Sequence, residues 1–590
     1  MTRKTKIICT IGPAIDSLAI TKELILAGMN VARFNFSHGT HEDHLAKINM
    51  VRQAAQELKM RVSIMLDNRG PEIRLGRFAE GRVTIRQGET FVLTTQEILG
   101  DEQRVTVHYP AMPSEVAPGR QIALDDGNLE LVVRDVQDTE IITEVVIGGE
   151  LSDRKKVNLP GSVVSLPAID DKDKEDLHFA VLHKLDYVAA SFIRKAEDIL
   201  HIREVIEGFG GDQKIIAKIE SQEGLDNLKE IIPVVDGLMV ARGDLGVEVP
   251  TEVVPIAQKE MIALCNQRGI PVITATQMLD SMIRNPRPTR AEASDITNAI
   301  LDGSDAIMLS GETASGKYPV ESVKMMARIA EETEAAMMKH REWQYSRVNA
   351  EGTITDAIGN AVWQTARVLG ANAIVTATTS GYTARMIAKY RPDVPIIAVT
   401  TSERAANQMT LSWGVIPLVA ADTKDTDTVV RNAIAAALDS KALVNGDLAV
   451  FTAGVPVGVP GSTNMLQVIT VGEVLVQGMV ARGTHAIAGR AVVAHTPEEA
   501  LRKMQQGDPQ ETKILVLYRY EAPYYEAAKL AAALVTEEAG LSSSGVIVGV
   551  HLDIPVMVAA NNAMQIIPDD TLITMDHLKN IYRGRIRQQA

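Results

Sequence analysis

The sequence has almost no cysteine, and this absence excludes one class of protein. Only Cys9 and Cys265 occur among the 590 residues, and both lie in apolar segments. Two thiols cannot cross-link a chain of this length, so a disulfide-rich secreted fold is excluded and a reducing cytoplasm is expected. Each thiol is expected to be a small buried apolar side chain.

The sequence also lacks long apolar runs and an excess of positive charge. No apolar run is long enough to cross a bilayer, and the start, MTRKTKIICTIGPA, lacks the apolar core and cleavage site of a secretory signal. The net charge of -15 argues against general nucleic-acid binding, which needs a basic surface. We therefore expect a cytoplasmic protein without membrane or nucleic-acid partners. A small anionic ligand is still compatible with a local cationic cluster.

What the sequence does contain is a repeated unit, a short apolar strand followed by an amphipathic helix. Buried strands that alternate with helices predict a parallel sheet covered on both faces, and eight units favour a closed (β/α)8 TIM barrel over an open sheet. The eight predicted strands are residues 6–12, 31–36, 62–67, 186–191, 214–220, 237–244, 271–276 and 306–312.

The third unit is interrupted by a segment of a different pattern. Stretches such as GRVTIRQGETFVLTT and EIITEVVIGGEL alternate apolar and polar residues, which predicts a β-rich inserted domain. Insertions in βα loops lie at the same end of a barrel as the active site, so this insertion is expected to form a β-barrel-like lid.

Beyond the barrel, the polar stretch REWQYSRVNAEGT predicts a linker to an α/β domain, and a second polar joint precedes a last unit of strands and helices. A chain of this length is expected to contain three or four domains. The predicted domains are a catalytic barrel (1–70 with 166–340), the inserted lid (71–165), an α/β effector-binding domain (341–474) and an extra C-terminal domain (475–590).

Charged and polar residues stand at the carboxyl ends of the predicted barrel strands, where barrel chemistry takes place. In IIAKIESQEG, Lys218 and Glu220 alternate along one strand and therefore face the same side. Any one such residue could be a structural ion pair. Together, however, the charged residues at the strand ends would carry a large desolvation cost unless a ligand or bound ions balance their charges.

These residue types favour one chemistry. Glu220 and Asp244 suit a hard divalent ion such as Mg²⁺, which keeps waters and accepts substrate oxygens. Arg33, Arg74 and Lys218 suit a phosphate and a carboxylate. A metal ion combined with cationic side chains is what phosphoryl transfer requires, since catalysis there is mostly charge neutralisation and positioning.

Several long motifs resemble the pyruvate kinase family, in its bacterial type with an extra C-terminal domain. They are TKIICTIGPA, GMNVARFNFSHGTHEDH, LDNRGPEIR, IIAKIESQEG, GLMVARGDLGVEVP, TAGVPVGVPGSTN and the segment from PVITATQMLD to LSGETASGKYP. The resemblance implies phosphoryl transfer from phosphoenolpyruvate to ADP, giving ATP and pyruvate. It also implies a homotetramer.

The resemblance assigns roles motif by motif. Lys218, Arg33 and Thr276 are the implied catalytic residues, with Lys218 stabilising the phosphoryl group, Arg33 contacting the phosphate and Thr276 organising proton delivery to the enolate. Glu220 and Asp244 are implied ligands of Mg²⁺ or Mn²⁺. The implied K⁺ ligands are Asn35, Ser37, Asp67 and the carbonyl of Asn68. The implied substrate-binding residues are Arg33, Ala241, Arg242, Gly243, Asp244 and Thr276. The implied nucleotide-binding residues are His38, Arg74 and Lys155.

Two local features bear on the monovalent ion. Glu72 is the residue type that accompanies K⁺ dependence in the resembled family, where a lysine would itself supply the charge, so we expect K⁺ activation. The residues after Asp67 are Asn68 and Arg69, where the family pattern has Thr-Lys. A residue that offers only its carbonyl can vary in its side chain.

In the α/β domain, TTSGYTARMIAKY opens a predicted helix with hydroxyls and a glycine, which is typical of an anion site and also of an ordinary helix cap. The resemblance implies a phosphorylated effector there. The predicted contacts are Thr378, Thr379, Ser380, Gly381 and Thr383. The later loop TAGVPVGVPGST lacks the Trp and Arg of animal forms, which favours AMP or ribose 5-phosphate over fructose 1,6-bisphosphate.

The last unit resembles the swivelling phosphohistidine domain of phosphoenolpyruvate-utilising enzymes. The family motif reads roughly TEEGGLTSHAAVVG, whereas this chain has TEEAGLSSSGVIVG, with Ser544 at the histidine position. A serine without an adjacent base is a poor phosphate acceptor, and His551 is about two helical turns away. We therefore expect a structural or interface role for this domain.

Two other functions fit parts of the pattern. A Mg²⁺-dependent pyruvate-utilising aldolase also places Glu and Asp near a 2-keto acid, but it does not explain the inserted lid or the K⁺-type cluster. A non-catalytic effector-binding protein does not explain the intact set at the strand ends. ADP-dependent consumption of phosphoenolpyruvate separates both from the leading interpretation.

Overall fold

The computed structural model describes residues 3–340, 352–423, 425–455, 463–472, 474–483, 485–508, 511–576 and 579–584. Contacts divide the chain into two compact units, Met1–Asn360 with Thr378–Val419 and Ala361–Ala377 with Ala420–Ala590. Across the described ranges, no helix combines the length and apolarity needed to span a membrane. The predicted linker at residues 341–351 lies outside the described residues, as does most of the loop TAGVPVGVPGST.

The first unit begins with alternating strands and helices: β1 (Lys6–Thr10), α1 (Leu18–Ala27), β2 (Val31–Asn35), α2 (His41–Leu58) and β3 (Ser63–Asp67). The helix boundaries follow from capping. Ser17 accepts a hydrogen bond from the Ile20 amide at the start of α1, and Gly28 ends that helix with a φ of 125°. Thr40 and Asp43 form a reciprocal capping box at the start of α2.

The insertion after β3 is built of strands, as the alternating pattern predicts. Its elements are β4 (Ile73–Arg74), β5 (Arg82–Ile85), β6 (Thr90–Thr94), β7 (Arg104–Thr106), α3 (Met112–Glu115), β8 (Gln121–Leu124), β9 (Leu129–Gln137), β10 (Glu140–Ile147), β11 (Gly149–Ser152) and β12 (Lys156–Asn158). Seven strands form one sheet in the order β4-β12-β8-β9-β10-β6-β7, and β11 pairs with β5. Along β9, Leu129, Leu131 and Val133 are buried while their neighbours are partly exposed.

The chain then completes the barrel. The elements are α4 (Asp171–Leu182), β13 (Tyr187–Ala190), α5 (Ala196–Gly208), β14 (Lys214–Ile219), α6 (Gln222–Asp226), α7 (Leu228–Ile231), β15 (Gly237–Ala241), α8 (Arg242–Glu248), α9 (Val254–Arg268), β16 (Val272–Ala275), α10 (Arg290–Asp302), β17 (Ala306–Leu309), α11 (Gly311–Ala314) and α12 (Pro319–Lys339). Eight parallel strands close in the order β1-β17-β16-β15-β14-β13-β3-β2. The predicted barrel is confirmed.

Several predicted strands extend beyond the observed ones at their carboxyl ends. The segment 237–244 was predicted as one strand, but β15 ends at Ala241 and α8 begins at Arg242. Likewise β17 ends at Leu309, before Ser310 and Glu312. The polar residues after each strand belong to the βα connections, and apolar patterning alone does not separate a strand from a short helix that follows it directly.

Residues 378–419 of the first unit close the amino-terminal end of the barrel. We call this segment the barrel floor. After α13 (Ile354–Val368) and β18 (Ala373–Ala377), this segment contains α14 (Tyr382–Ala388), β19 (Ile396–Thr400), α15 (Glu403–Gln408) and β20 (Val415–Val419). Lys6 Nζ donates to the Val415 carbonyl at 2.7 Å and Tyr187 Oη to the Gln408 carbonyl at 2.8 Å. Ser63 Oγ donates to the Asn407 carbonyl at 2.7 Å. Three barrel strands, β1, β3 and β13, are thereby anchored at their first residues.

The second unit contains two regions of sheet. In the first, β18 pairs in parallel with β21 (Leu448–Gly454), which pairs antiparallel with β22 (Thr463–Thr470). The helix α16 (Thr426–Asp439) lies between β18 and β21 in the sequence. The last region is an eight-stranded mixed sheet in the order β23-β30-β29-β25-β26-β27-β28-β24. Its elements are β23 (Val474–Gln477), β24 (Met479–Arg482), β25 (Ile487–Val493), α17 (Pro497–Gln505), β26 (Lys513–Leu517), α18 (Tyr525–Ala528), β27 (Ala533–Thr536), α19 (Ser544–Leu552), β28 (Val556–Val558), α20 (Ala563–Ile566), β29 (Leu572–Met575) and β30 (Asn580–Arg583).

Candidate active site at the barrel mouth

Four charged side chains, three from barrel strands and one directly after β14, form a continuous chain of contacts at the carboxyl ends of the strands. Arg33 Nε donates to Asp67 Oδ2 at 2.6 Å, and Lys218 Nζ lies 3.1 Å from Asp67 Oδ1. Lys218 Nζ is also 3.0 Å from Glu220 Oε1. All four residues are buried. The fold therefore brings together residues that are far apart in the sequence, as the strand-end pattern predicts for a barrel.

The charges in this chain perturb one another strongly. Burial alone would raise the pKa of Asp67, but Arg33 and Lys218 outweigh burial and hold that pKa below its ordinary value. Burial lowers the pKa of Lys218, but Asp67 and Glu220 outweigh it and the pKa lies above its ordinary value. Lys218 is thus a cation at neutral pH.

Glu220 is the exception, because its charge is not fully compensated by the protein. Burial raises the pKa of Glu220 to about 7, and Lys218 offsets only part of that effect. Its Oε2 atom accepts a hydrogen bond from the Phe192 amide at 2.7 Å. Its Oε1 atom is buried without a hydrogen bond, because the contact with Lys218 is close but lacks hydrogen-bond geometry. A further cation would satisfy this oxygen.

Asp244, in the first turn of α8, is the second carboxylate expected to bind a divalent ion. Burial raises its pKa, but Lys156 and Lys218 outweigh burial, so the pKa lies below its ordinary value. Glu220 and Asp244 are close enough to perturb each other. Within the described residues no group of three or more His, Cys, Asp or Glu side chains is arranged to hold a metal. A pair of carboxylates with one orphaned oxygen fits Mg²⁺, which retains waters and substrate oxygens.

The residues expected to bind the monovalent ion lie on β2, β3 and the turns that follow. Asn35 is opposite Asp67 in the parallel register, and its Oδ1 accepts from the Ser37 amide at 3.1 Å. The Asn68 carbonyl accepts from Ser191 Oγ at 2.8 Å, while Asn68 Oδ1 accepts from the Ser191 amide at 2.9 Å. The Asn68 side chain therefore stabilises the turn after β3 by its hydrogen bond to Ser191.

The loop after β16 is held against the start of α8, where the substrate carboxylate is expected. Thr276 Oγ1 accepts from the Gly243 amide at 2.9 Å and donates to the Ala275 carbonyl at 2.7 Å. Thr276 and Gln277 have φ angles of 65° and 56°, which are strained for residues with side chains. The Arg242 guanidinium points to the Thr276 carbonyl and to Asp295, at 2.7 Å in each case. Arg242 therefore stabilises the loop after β16. Ala241, the residue before it, is the last residue of β15.

The residues expected to bind nucleotide are divided between the barrel and the lid. His38 is exposed, and its carbonyl accepts from His44 Nε2 at 2.8 Å. Arg74 is bound to Glu72 through Nε and Nη2, at 3.0 and 2.5 Å. Lys155 Nζ lies 2.6 Å from Asp125 Oδ1 within the lid. The Arg74 and Lys155 side chains therefore each have a local acidic partner.

Three residues that the sequence patterns did not indicate contact the site. Ser191 Oγ lies 2.7 Å from Lys218 Nζ, and the Phe192 amide binds Glu220. Phe192 has a φ of 54°, so the turn after β13 is strained like the turn after β16. Lys156 of the lid pairs with Asp244 at 2.5 Å. The sequence signal for Lys156 was that it follows Lys155 in a strand. Because side chains alternate along a strand, only one of the two lysines can face the barrel.

The predicted effector loop precedes α14. The Gly381 amide donates to Thr378 Oγ1 at 3.0 Å, and Gly381 has a φ of 79°. A Cβ at this glycine would lie 2.6 Å from Met409 Cγ, so both backbone conformation and space require glycine. Thr379 and Ser380 are exposed, whereas Thr383 is buried.

The position of the phosphohistidine in the resembled swivelling domains falls at the first residue of α19. Ser544 is exposed there, and Ser543 before it is buried. His551 is near the other end of the same helix and faces the ring of Tyr525, with 6.1 Å between the ring centres. The structural or interface role expected for this domain stays a prediction.

Comparison with protein families finds three matches along the chain. Residues 2–323 match "Pyruvate kinase, barrel domain", and residues 356–469 match "Pyruvate kinase, alpha/beta domain". Residues 509–579 match "PEP-utilising enzyme, mobile domain".

Comparison with individual proteins finds relatives of the same length. A pyruvate kinase of Geobacillus stearothermophilus is 49% identical over 589 residues, which cover 99% of each chain. A pyruvate kinase of Bacillus licheniformis is 46% identical over 587 residues, again 99% of each chain. A crystal structure of a pyruvate kinase from Cryptosporidium parvum superposes with a TM-score of 0.74 at 39% identity, covering 80% of this chain and 96% of that one.

Proposed function

The chain belongs to the pyruvate kinase family, and from that membership we propose that its barrel mouth transfers the phosphoryl group of phosphoenolpyruvate to ADP, giving ATP and pyruvate as the final step of glycolysis. The observation that carries the proposal is the buried contact chain Arg33–Asp67–Lys218–Glu220 beside Asp244. Two fixed cations and an incompletely satisfied carboxylate pair suit an anionic substrate bound through a divalent ion.

The positions of the cationic side chains support the roles proposed for them. Asp67 holds both Arg33 and Lys218, so the two cations are oriented before any substrate arrives. Preorganised charge of this kind stabilises the oxygens of a phosphoryl group during transfer. Lys218 carries its proton at neutral pH, because its pKa lies above its ordinary value. Proton delivery to the enolate is assigned on family membership to the loop of Thr276, whose hydroxyl is already oriented by Gly243 and Ala275.

Mg²⁺, or Mn²⁺ in its place, is the proposed divalent cofactor. Glu220 and Asp244 would hold it, and when bound it would neutralise charge on the substrate oxygens. The remaining residues around it orient the substrate. The amides of Ala241 to Asp244, with Thr276, are proposed to receive the carboxylate, and Arg33 the phosphate. His38, Arg74 and Lys155 are proposed to contact the nucleotide.

K⁺ is the proposed monovalent cofactor, bound by Asn35, Ser37, Asp67 and the Asn68 carbonyl. Glu72 supports this proposal, because its carboxylate is paired with Arg74 and no lysine at that position supplies a positive charge. If K⁺ is replaced by tetramethylammonium, which is too large for such a site, turnover is expected to fall. Unchanged turnover would contradict the assignment.

Three further features are proposed on family membership. A phosphorylated effector, AMP or ribose 5-phosphate more readily than fructose 1,6-bisphosphate, would bind the loop of Thr378, Thr379, Ser380, Gly381 and Thr383. The enzyme is proposed to be a cytoplasmic homotetramer. Light scattering of the full chain, with and without each effector, tests both the assembly and its response.

The reaction is tested directly by a coupled assay of pyruvate formation. Pyruvate should form only when phosphoenolpyruvate, ADP and a divalent ion are all present, and ATP should form in equal amount. Pyruvate formation that does not need ADP, or reaction with an aldehyde in place of ADP, would contradict the proposal.

A further inference from the structure

Lys156 connects the lid to the carboxylate pair. It is the first residue of β12, and its Nζ atom lies 2.5 Å from Asp244 Oδ1. The lysine side chain is only 11% exposed, and its ammonium lies 4.4 Å from the centre of the Phe192 ring. Phe192 in turn donates its amide to Glu220. The ammonium of a lid residue is therefore placed among the groups expected to hold a metal.

A second polar contact lies on the same face of the same strand. Asn158 Nδ2 donates to Glu248 Oε1 at 2.7 Å. Lys156 and Asn158 alternate along β12 and so point to one side, while Asp244 and Glu248 are one turn apart on α8. The distance between residues i and i+2 of the strand thus matches the distance between residues i and i+4 of the helix. Two side-chain contacts can therefore form together, and through them β12 fixes the lid to α8.

The charge on Lys156 lies among acidic side chains. Its ammonium pairs with Asp244, and Asp244 and Glu220 are close enough to interact with each other. Lys156 is therefore a cation beside two carboxylates. This is the electrostatic position in which a divalent ion would also be most stable.

We propose that Lys156 is a positioning residue that holds the lid on the barrel through Asp244 and competes with the divalent ion for that carboxylate. The inference rests on the proposed metal site. The Lys156 ammonium and a divalent ion would draw on the same negative charge of Asp244, and the two cations repel each other. Metal binding at Asp244 therefore displaces Lys156 and leaves Asn158–Glu248 as the remaining contact between β12 and α8.

The displaced ammonium has a place to go. Lys156 and Phe192 line a cavity between the lid and the barrel, and Glu72 and Glu223 lie on its wall. Glu72 already contributes to the electrostatic environment of Lys156. A lysine has enough rotatable bonds to reach a new carboxylate without unfolding β12. Divalent-ion binding is thus linked to the position of the lid before any nucleotide is bound.

Competition is tested by measuring Mn²⁺ binding to the full-length protein without substrates, from the electron paramagnetic resonance signal of free Mn²⁺. Lys156→Met keeps the apolar stem over Phe192 and removes the charge, and it should bind Mn²⁺ about tenfold more tightly, as loss of a charged hydrogen bond predicts. Lys156→Arg should bind like the parent. Arg134→Met is the control, because Arg134 pairs with Glu144 inside the lid, and it too should bind Mn²⁺ like the parent.

The outcomes separate this inference from the proposed metal site. If Mn²⁺ binding is abolished by Asp244→Asn but is equal in Lys156→Met and the parent, the competition is wrong and the metal site stands. If Mn²⁺ binds as well to Asp244→Asn as to the parent, both are wrong. Weaker binding to Lys156→Met would also overturn the inference, because it would make Lys156 a supporter of the ion.

Lid position gives a second readout that a purely structural role would not move. Spin labels can be placed at Asp138→Cys in the lid and Glu230→Cys in the barrel, which are both exposed, since Cys9 and Cys265 are buried. Addition of Mg²⁺ should change the distance distribution in the parent. The Lys156→Met protein should show the changed distribution without Mg²⁺, and an unchanged distribution in both would overturn the coupling.

Discussion

Lys218→Met is expected to lower kcat by about three orders of magnitude while nucleotide binding is retained. Lys218 is held by Asp67 at 3.1 Å and Glu220 at 3.0 Å, and Ser191 Oγ lies 2.7 Å from its Nζ. Its side chain is only 11% exposed, so water cannot replace the lost charge. Methionine preserves the unbranched shape, and Asp67 keeps its second partner, Arg33.

The magnitude follows from what the ammonium is placed to do. Removing one preorganised hydrogen-bond donor from an oxyanion site costs about 10²–10³ in kcat, and removing a full charge that acts on a transferred phosphoryl group costs about 10³–10⁵. A fall of about 10³ corresponds to about 4 kcal/mol of transition-state stabilisation. The residues proposed to contact the nucleotide, His38, Arg74 and Lys155, all have partners other than Lys218.

The assay compares kcat for pyruvate formation with the dissociation constant of ADP for the parent, Lys218→Met and Lys214→Met. Lys214 is a matched control on the same strand, because it begins β14 and pairs with Asp236 at 3.0 Å at the other end of the barrel. Its loss should change kcat by less than about twofold, because the Lys214–Asp236 pair lies away from the reacting groups. A fall of less than about tenfold in Lys218→Met, or an equal fall in both variants, would refute the reasoning.

Two further outcomes are expected away from the mouth. Burial raises the pKa of Asp186 to about 6. The folded state therefore favours the neutral carboxyl, and that stabilisation is full below about pH 4 and lost as the pH rises through about 6, by up to about 3 kcal/mol. Asp186→Asn should remove this part of the dependence of melting temperature on pH, and an unchanged dependence would contradict it. Truncation after Gly472 removes β23 together with its partner β30, and it should leave kcat nearly unchanged while altering heat stability or regulation. A truncated protein that remains folded and tetrameric but loses turnover would contradict a structural role for the last domain.

The barrel could be predicted from the sequence because its strands are buried on both faces and read as continuous apolar runs. Ile7, Ile8 and Cys9 in β1 are all fully buried, for example. The ends of the strands could not be predicted to the residue. Arg242 to Asp244 continue the motif of β15 in the sequence, but they form the first turn of α8 because the chain turns outward at the mouth.

The contacts within the site could be predicted only in part. Convergence of Arg33, Asp67 and Lys218 follows from the closure of a parallel barrel, which brings all carboxyl strand ends to one rim. The contact of Lys156 with Asp244 depends on how the lid lies on the barrel, and the local pattern indicates only that one of two adjacent lysines faces the barrel. The strained backbone at Phe192 and Thr276 was likewise invisible, because neither is a glycine.

The anchoring of the barrel floor has a mechanical consequence. Lys6, Ser63 and Tyr187 attach β1, β3 and β13 to residues 407–415, and the opposite ends of these strands lead to Thr10, Asp67 and Ser191. A five-residue strand is stiff and about 16 Å long. If such a strand tilts by about 3° about its first residue, its last residue moves by about 1 Å. Displacements of that size are enough to misalign reacting groups and cost about 10² in rate, so residues 407–415 have leverage over Arg33, Asp67 and Lys218.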